Sequence, residues 1–220
     1  MPSKPPALKK AIRQRISGKK PESVWSPMDF LDLGNRDAVD KTLQRLTQAG
    51  ELRRIGRGLY DKPAVSRLTK KLKAPDYHQL IQVVERRDQC RILVDGMTAA
   101  NDLGLTDAVP SRIILHTDAR ICPMRLGNLV IEFKPTAPSK LYWAGRPAMR
   151  VVQALHWLKD ILPGDRDRIM GRLRSILKNP TNGLLIREDL RKGLSTLPAW
   201  MQGVARDLLN AVEGSKKPNT

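Results

Sequence analysis

Little in this chain suits it to thiol, metal or membrane chemistry. Its 220 residues hold 2 cysteines and 3 histidines. Cys90 and Cys122 have no metal-type spacing, and a reduced pair is the preferred reading over a single disulfide. His78, His116 and His156 are too scattered to suggest a metal site or a catalytic triad. No Walker-type phosphate loop and no dinucleotide fingerprint is present. No apolar run is long enough to suggest a membrane span. The opening "MPSKPPALKK" lacks the apolar core of a signal peptide, so a cytoplasmic protein is expected. No catalytic residue, cofactor or bound metal is assigned, and the chain is read as a non-enzyme.

Negative charge is also scarce. Lys and Arg number 40 against 22 Asp and Glu, giving a net charge of +18 and a pI near 10.4. Such an excess speaks to partners, not to fold, and nucleic acid is the first candidate. The imbalance is concentrated: residues 1–73 carry 18 basic against 7 acidic residues, a net of +11. Apolar residues at 40% are ample for a soluble globular chain.

The front third reads as a string of short elements. Residues 1–6 are Pro-rich and expected to be disordered. Leu8, Ala11, Ile12 and Ile16 recur at helical spacing over residues 7–16. In "VWSPMDFLDLG", Ser26 is a good N-cap and Pro27 a good first helical residue, with Met28, Phe30, Leu31 and Leu33 as apolar content. A longer helix follows, capped by Asn35 and striped by Ala38, Val39, Leu43 and Leu46, with Gly50 where a left-handed residue would end it. Then "ELRRIGRGLYDKP" reads as a tight hairpin with arginines around Gly56 and Gly58. Leu52 and Ile55 break strict alternation, which a β-bulge would reconcile.

Helix, short helix, turn, polar-faced helix and basic hairpin are the layout of a winged helix-turn-helix. The second helix of such a motif reads base edges in the major groove. The residues placed to do so are Arg36, Asp37, Lys41, Gln44 and Arg45. Arg53, Arg54 and Arg57 of the hairpin are assigned to phosphate or minor groove.

Beyond a basic connector over residues 62–76, the texture changes. "RILVDG", "RIILHTD" and "LGNLVIEFKPT" read as strands and "MTAANDLGL" as a small helix. From Arg146 onward the pattern is helical, with Val152, Leu155, Leu158 and Leu162 on one face. The fold class is therefore α+β: a winged helix-turn-helix over residues 7–73, a mixed domain over 74–213 with a short sheet then helices, and a polar tail over 214–220.

"LQRLTQAGELRRIGRGLYDKP", with Arg57-Gly58-Leu59-Tyr60 at its end, resembles the helix-to-wing segment of AbiEi-type antitoxins of abortive-infection (type IV) toxin–antitoxin systems. The region from "ILVDGMTAANDLGL" through "RIILHTD" to "LVIEFKP" is similar to the start of that family's second domain. The resemblance implies an autorepressor that binds inverted repeats in duplex promoter DNA and counters a nucleotidyltransferase toxin through its C-terminal domain. Two other readings stay open. Asp118 followed by Glu132-x-Lys134 is a pattern with which Mg²⁺-dependent nucleases hold metal and water, although alternation points Glu132 and Lys134 toward solvent. A winged helix can also serve only as a protein-binding scaffold.

Overall fold

The computed structural model of the chain describes residues 5–19, 23–65, 70 and 72–214. The architecture is α+β, with helices and two small sheets. The chain divides into two compact units: residues 1–90 with 121–132, and residues 91–120 with 133–220. The first unit thus runs past the boundary expected at residue 73, because it includes a helix that no element was assigned to in the sequence.

In the first unit, α1 (Pro5–Ser17) buries Leu8, Ile12 and Ile16, one residue per turn on a single face. It includes two residues of the segment expected to be disordered; the rest of that segment, residues 1–4, lies outside the described residues. A two-residue strand, β1 (Val24–Trp25), precedes a 3-10 turn over Pro27–Phe30. Ser26 starts that turn by donating its backbone N–H (2.7 Å) and hydroxyl (3.0 Å) to Asp29 Oδ2. Only Phe30 of the turn's large apolar side chains goes fully inside, 5.5 Å from the Trp25 ring; Met28 and Leu31 are exposed.

α2 (Arg36–Gln48) begins where the Asn35 carboxamide oxygen accepts the Ala38 N–H at 2.9 Å. It ends in a Schellman motif. Gly50 takes φ +70°, its N–H reaches the Thr47 carbonyl at 3.0 Å, and the Glu51 N–H reaches Leu46 at 2.9 Å. Val39, Leu43 and Leu46 pack with the α1 leucine and isoleucines around Phe30 to form the core of the unit. Thr42 joins that buried face without leaving its hydroxyl orphaned, because it donates to the Ala38 carbonyl at 2.7 Å.

Strands β2 (Arg53–Gly56) and β3 (Leu59–Asp61) form the expected hairpin. The register shifts between Arg54, opposite Tyr60, and Gly56, opposite Leu59. That irregularity is the expected bulge. β1 adds to the free side of β3, pairing Trp25 with Tyr60, so the sheet order is β1-β3-β2. Within the connector, residues 66–69 and 71 lie outside the described residues. α3 (Tyr77–Asp88) follows, its first turn capped by Asp76, which accepts the His78 N–H at 2.9 Å.

In the second unit, β4 (Ile92–Val94) pairs antiparallel with β5 (Arg112–Thr117). Between them lies α4 (Gly96–Asp102), capped by Asp95. A strand pair, β6 (Met124–Leu126) with β7 (Leu129–Pro135), belongs to the first unit up to Glu132, where β7 passes into the second. The second sheet has the order β4-β5-β7-β6. Four helices complete the unit: α5 (Met149–Trp157), α6 (Arg166–Lys178), α7 (Gly183–Gly193) and α8 (Ala199–Glu213). Val152, Leu155, Leu158 and Leu162 are all buried, as their spacing predicts. Gly96 permits a close approach of α4 to α5: a Cβ there would stand 2.6 Å from Cβ of Trp157 and 2.7 Å from the Gln153 carbonyl oxygen. Of the polar tail, residues 215–220 lie outside the described residues.

Candidate nucleic-acid interface

α2 is divided cleanly by burial. Val39, Thr42, Leu43 and Leu46 face inward, while Asp37, Lys41, Gln44 and Gln48 are exposed. The exposed four recur at spacings of four, three and four, which on a 3.6-residue repeat makes them one stripe opposite the core. Arg45 is exposed on the flank of this stripe, and Arg36 lies farther round the helix. Arg36 Nε also donates to Asp40 Oδ2 at 2.8 Å, one turn away. An exposed pair of this kind is worth roughly 0.3–0.5 kcal/mol, so it orients Arg36 without locking it.

The three hairpin arginines do not share one environment. Arg53 is committed within the fold. Its Nε donates to Asp61 Oδ1 at 3.0 Å, its Nη2 donates to Asp61 Oδ2, and Nη2 also reaches the Lys73 carbonyl at 3.0 Å. Asp61 is 1% exposed. Its hydrogen bonds hold the Arg53 guanidinium above the ordinary arginine pKa. A buried carboxylate needs such a partner, and removing one member of such a pair is costly. The Arg53 side chain, assigned to phosphate or minor groove in the sequence, holds the base of the hairpin across a directly opposed strand pair. Arg54 and Arg57, by contrast, are exposed beside the turn, where Gly58 takes φ +62°.

The hairpin is braced from α3. The Arg87 guanidinium forms a two-point pair with Asp88 at 2.8 and 2.6 Å, and its Nη1 donates to the backbone carbonyl of Arg57. Arg86 Nη2 meets Asp29 Oδ1 at 3.1 Å. No sequence reading assigned these residues a role; the signal available was an Asp76 cap ahead of Leu80, Ile81, Val83 and Val84.

Much of the positive charge of this unit is structural. Arg15 makes a two-point pair with Asp32, both bonds at 2.6 Å, and donates to the Asp29 carbonyl at 2.7 Å. Arg13 embraces Glu51, with Nε to Oε2 at 2.6 Å. Each arginine holds its partner's carboxyl below the usual carboxylate range through those hydrogen bonds. These pairs cancel within the net charge, so the excess is carried by the other basic residues. Of the assigned residues, Lys41, Arg45, Arg54 and Arg57 are exposed cations, and Asp37 and Gln44 are exposed polar residues of α2.

The nuclease pattern finds a different use for its first member. Asp118 accepts the Arg91 backbone N–H and Arg91 Nε on separate oxygens, each at 2.9 Å. The backbone bond first, and the guanidinium second, hold that carboxyl below its ordinary pKa. Ile131 and Phe133 are buried while Lys134 is exposed, as alternation predicts. Among the described residues no group of three or more His, Cys, Asp or Glu side chains is placed to hold a metal ion.

Fold and surface together define an α+β chain whose first unit presents a polar helix stripe and a glycine-turned basic hairpin. The chain belongs to a family of unknown function (DUF6088), whose model matches residues 11–181. Among solved structures it is similar to the RV2827C protein from Mycobacterium tuberculosis, at 17% identity and a TM-score of 0.42, covering 97% of this chain and 83% of that one. No curated protein matches the sequence. No helix among the described residues is long and apolar enough to cross a membrane.

Proposed function

We propose that the first unit is a winged helix-turn-helix that binds duplex DNA, and that the chain is an AbiEi-type antitoxin repressing its own operon. The observation that carries the reading is the bare face of α2. A helix of 13 residues buries Val39, Leu43 and Leu46 completely yet leaves Asp37, Lys41 and Gln44 uncovered on the opposite side. A major groove accepts such a helix, and Gln suits adenine, Lys guanine and Asp the amino group of cytosine. Arg54 and Arg57 supply the sequence-independent phosphate term, which dominates affinity. The antitoxin role, countering a nucleotidyltransferase toxin through the second unit, rests on the resemblance of the wing segment and the strand–helix–strand region to that family.

The test is a titration of labelled duplex carrying the chain's own upstream inverted repeats, against a scrambled duplex, across salt concentrations. The expected result is tighter binding to the repeats and an affinity that falls steeply as salt rises. Equal binding to both duplexes, or affinity indifferent to salt, overturns the proposal. Co-expression with a neighbouring nucleotidyltransferase tests the antitoxin part: restored growth supports it, and unrelieved toxicity counts against it.

A further inference from the structure

The second unit carries a cleft of about 480 Å³ that the reading above does not use. That size falls within the roughly 300–1,000 Å³ of small-molecule sites. Its polar wall is built from Arg146, Arg150, Asn179 and Asn182, and its apolar wall includes Val151, Ile176, Leu185 and Ile186. No carboxylate lines it among the described residues.

The polar groups are set in place from behind. Arg146 Nη2 bonds Asp189 Oδ1 at 2.6 Å, and Asp189, 8% exposed, also accepts the Ala148 N–H at 3.0 Å. The Arg146 guanidinium stacks over the Tyr142 ring, 4.4 Å from its centroid. Arg150 Nε is held by Asp102 at 2.9 Å. Both carboxylates lie outside the cleft lining, so they fix the guanidiniums without occupying the space. The Asn179 carboxamide oxygen is taken by the Thr181 and Asn182 backbone N–H groups, at 2.8 and 3.3 Å, which leaves its NH₂ as the end able to meet a ligand. The polar side therefore offers donors, and the opposite side offers hydrocarbon. Leu185, on that side, is 54% exposed, so part of this apolar wall is bare.

We propose that this cleft binds a small organic acid, its anionic oxygens met by Arg146 and Asn179 and its apolar body laid against Ile176, Leu185 and Ile186. Neither an inorganic anion nor a neutral hydrocarbon uses both walls.

The probe is 1-anilinonaphthalene-8-sulfonate, an anion with an apolar body, titrated by fluorescence into the full-length chain, with benzoate and its neutral analogue benzamide as competitors. Saturable one-to-one binding is expected, displaced by benzoate and not by benzamide. Leu185→Glu puts a like charge inside the cleft at an already exposed position and is expected to weaken binding about tenfold or more. Leu184→Glu alters the neighbouring residue, equally exposed but outside the lining, and leaves binding unchanged. Circular dichroism and melting confirm that both variants fold. Non-saturable binding, equal loss in the two variants, or competition by benzamide as strong as by benzoate overturns the proposal.

Discussion

The guanidinium of Arg87, on a helix that follows the hairpin, donates a hydrogen bond to the backbone carbonyl of Arg57 at the hairpin turn. The bond reaches the main chain, so it fixes the turn whatever side chain Arg57 carries. Asp88 orients the donor through two bonds, which makes Arg87 a positioning residue for the hairpin. Arg87→Ala is expected to weaken operator and scrambled duplexes alike, by a few-fold, because it loosens the turn and removes no contact to DNA. Arg87→Lys restores part of the loss. Fluorescence anisotropy with both duplexes checks this; a loss confined to the operator would show that Arg87 acts through α2 instead.

Reader and clamp separate in a second pair of variants. Gln44→Ala removes a side chain from the bare stripe of α2 and is expected to cost about 1–3 kcal/mol at a single base pair, relaxing preference there. Arg57→Ala lowers affinity for every duplex and reduces the salt slope by about one. Measuring both on a panel of single-base operator variants distinguishes them. If the two substitutions give the same profile, α2 is not the reading helix.

Packing in the second unit makes a prediction independent of any ligand. Gly96→Ala places a methyl carbon 2.6 Å from Cβ of Trp157 and 2.7 Å from a backbone oxygen, neither of which is the end of a flexible side chain. The expected destabilisation is roughly 1–3 kcal/mol, as for other overpacked sites. Urea unfolding reads it directly, and an unchanged midpoint would contradict the α4–α5 contact.

The pH dependence has a definite sign. Burial, and secondarily Lys134, pushes the His116 imidazole below its ordinary pKa of 6.5, and burial does the same to His156. Lowered folded-state values mean that the unfolded chain binds these protons more readily. Stability is therefore complete above about pH 6.5 and declines as pH falls through that value toward the folded-state ones. His116 also shares a 3.1 Å hydrogen bond with Thr136 Oγ1. Unfolding midpoints at pH 7.5 and 5.5 should show the loss, and His116→Gln should reduce it. A midpoint flat across this range would contradict both assignments.

What could be read from the sequence was local. Asn35, the Val39-Leu43-Leu46 stripe and Gly50 are consecutive instructions for one helix, and α2 obeys all of them. The bulge in the hairpin was legible for the same reason, because Leu52 and Ile55 cannot share a face of a regular strand. Two-residue β1 is different: a strand that short exists only because β3 offers an open edge. α3 went unassigned although its cap and periodicity are present; its Ile81, Val83 and Val84 are β-branched, which suits a strand as well as a helix. Residues 121–132 join the first unit through contacts remote in sequence, which no local pattern encodes. Arg53 looked like its neighbours until the strand register set it opposite Asp61. A count of arginines shares that weakness, since Arg13 and Arg15 are spent on Glu51 and Asp32.

The Arg53–Asp61 pair also says something about how this hairpin could diversify. An ionic latch at its root keeps the two strands from sliding past each other, and the latch makes no demand on the loop beyond. Side chains at the far end can then be recoloured in charge while the root, and the turn braced by Arg87, stay anchored. The hairpin is built as a fixed handle with an interchangeable head.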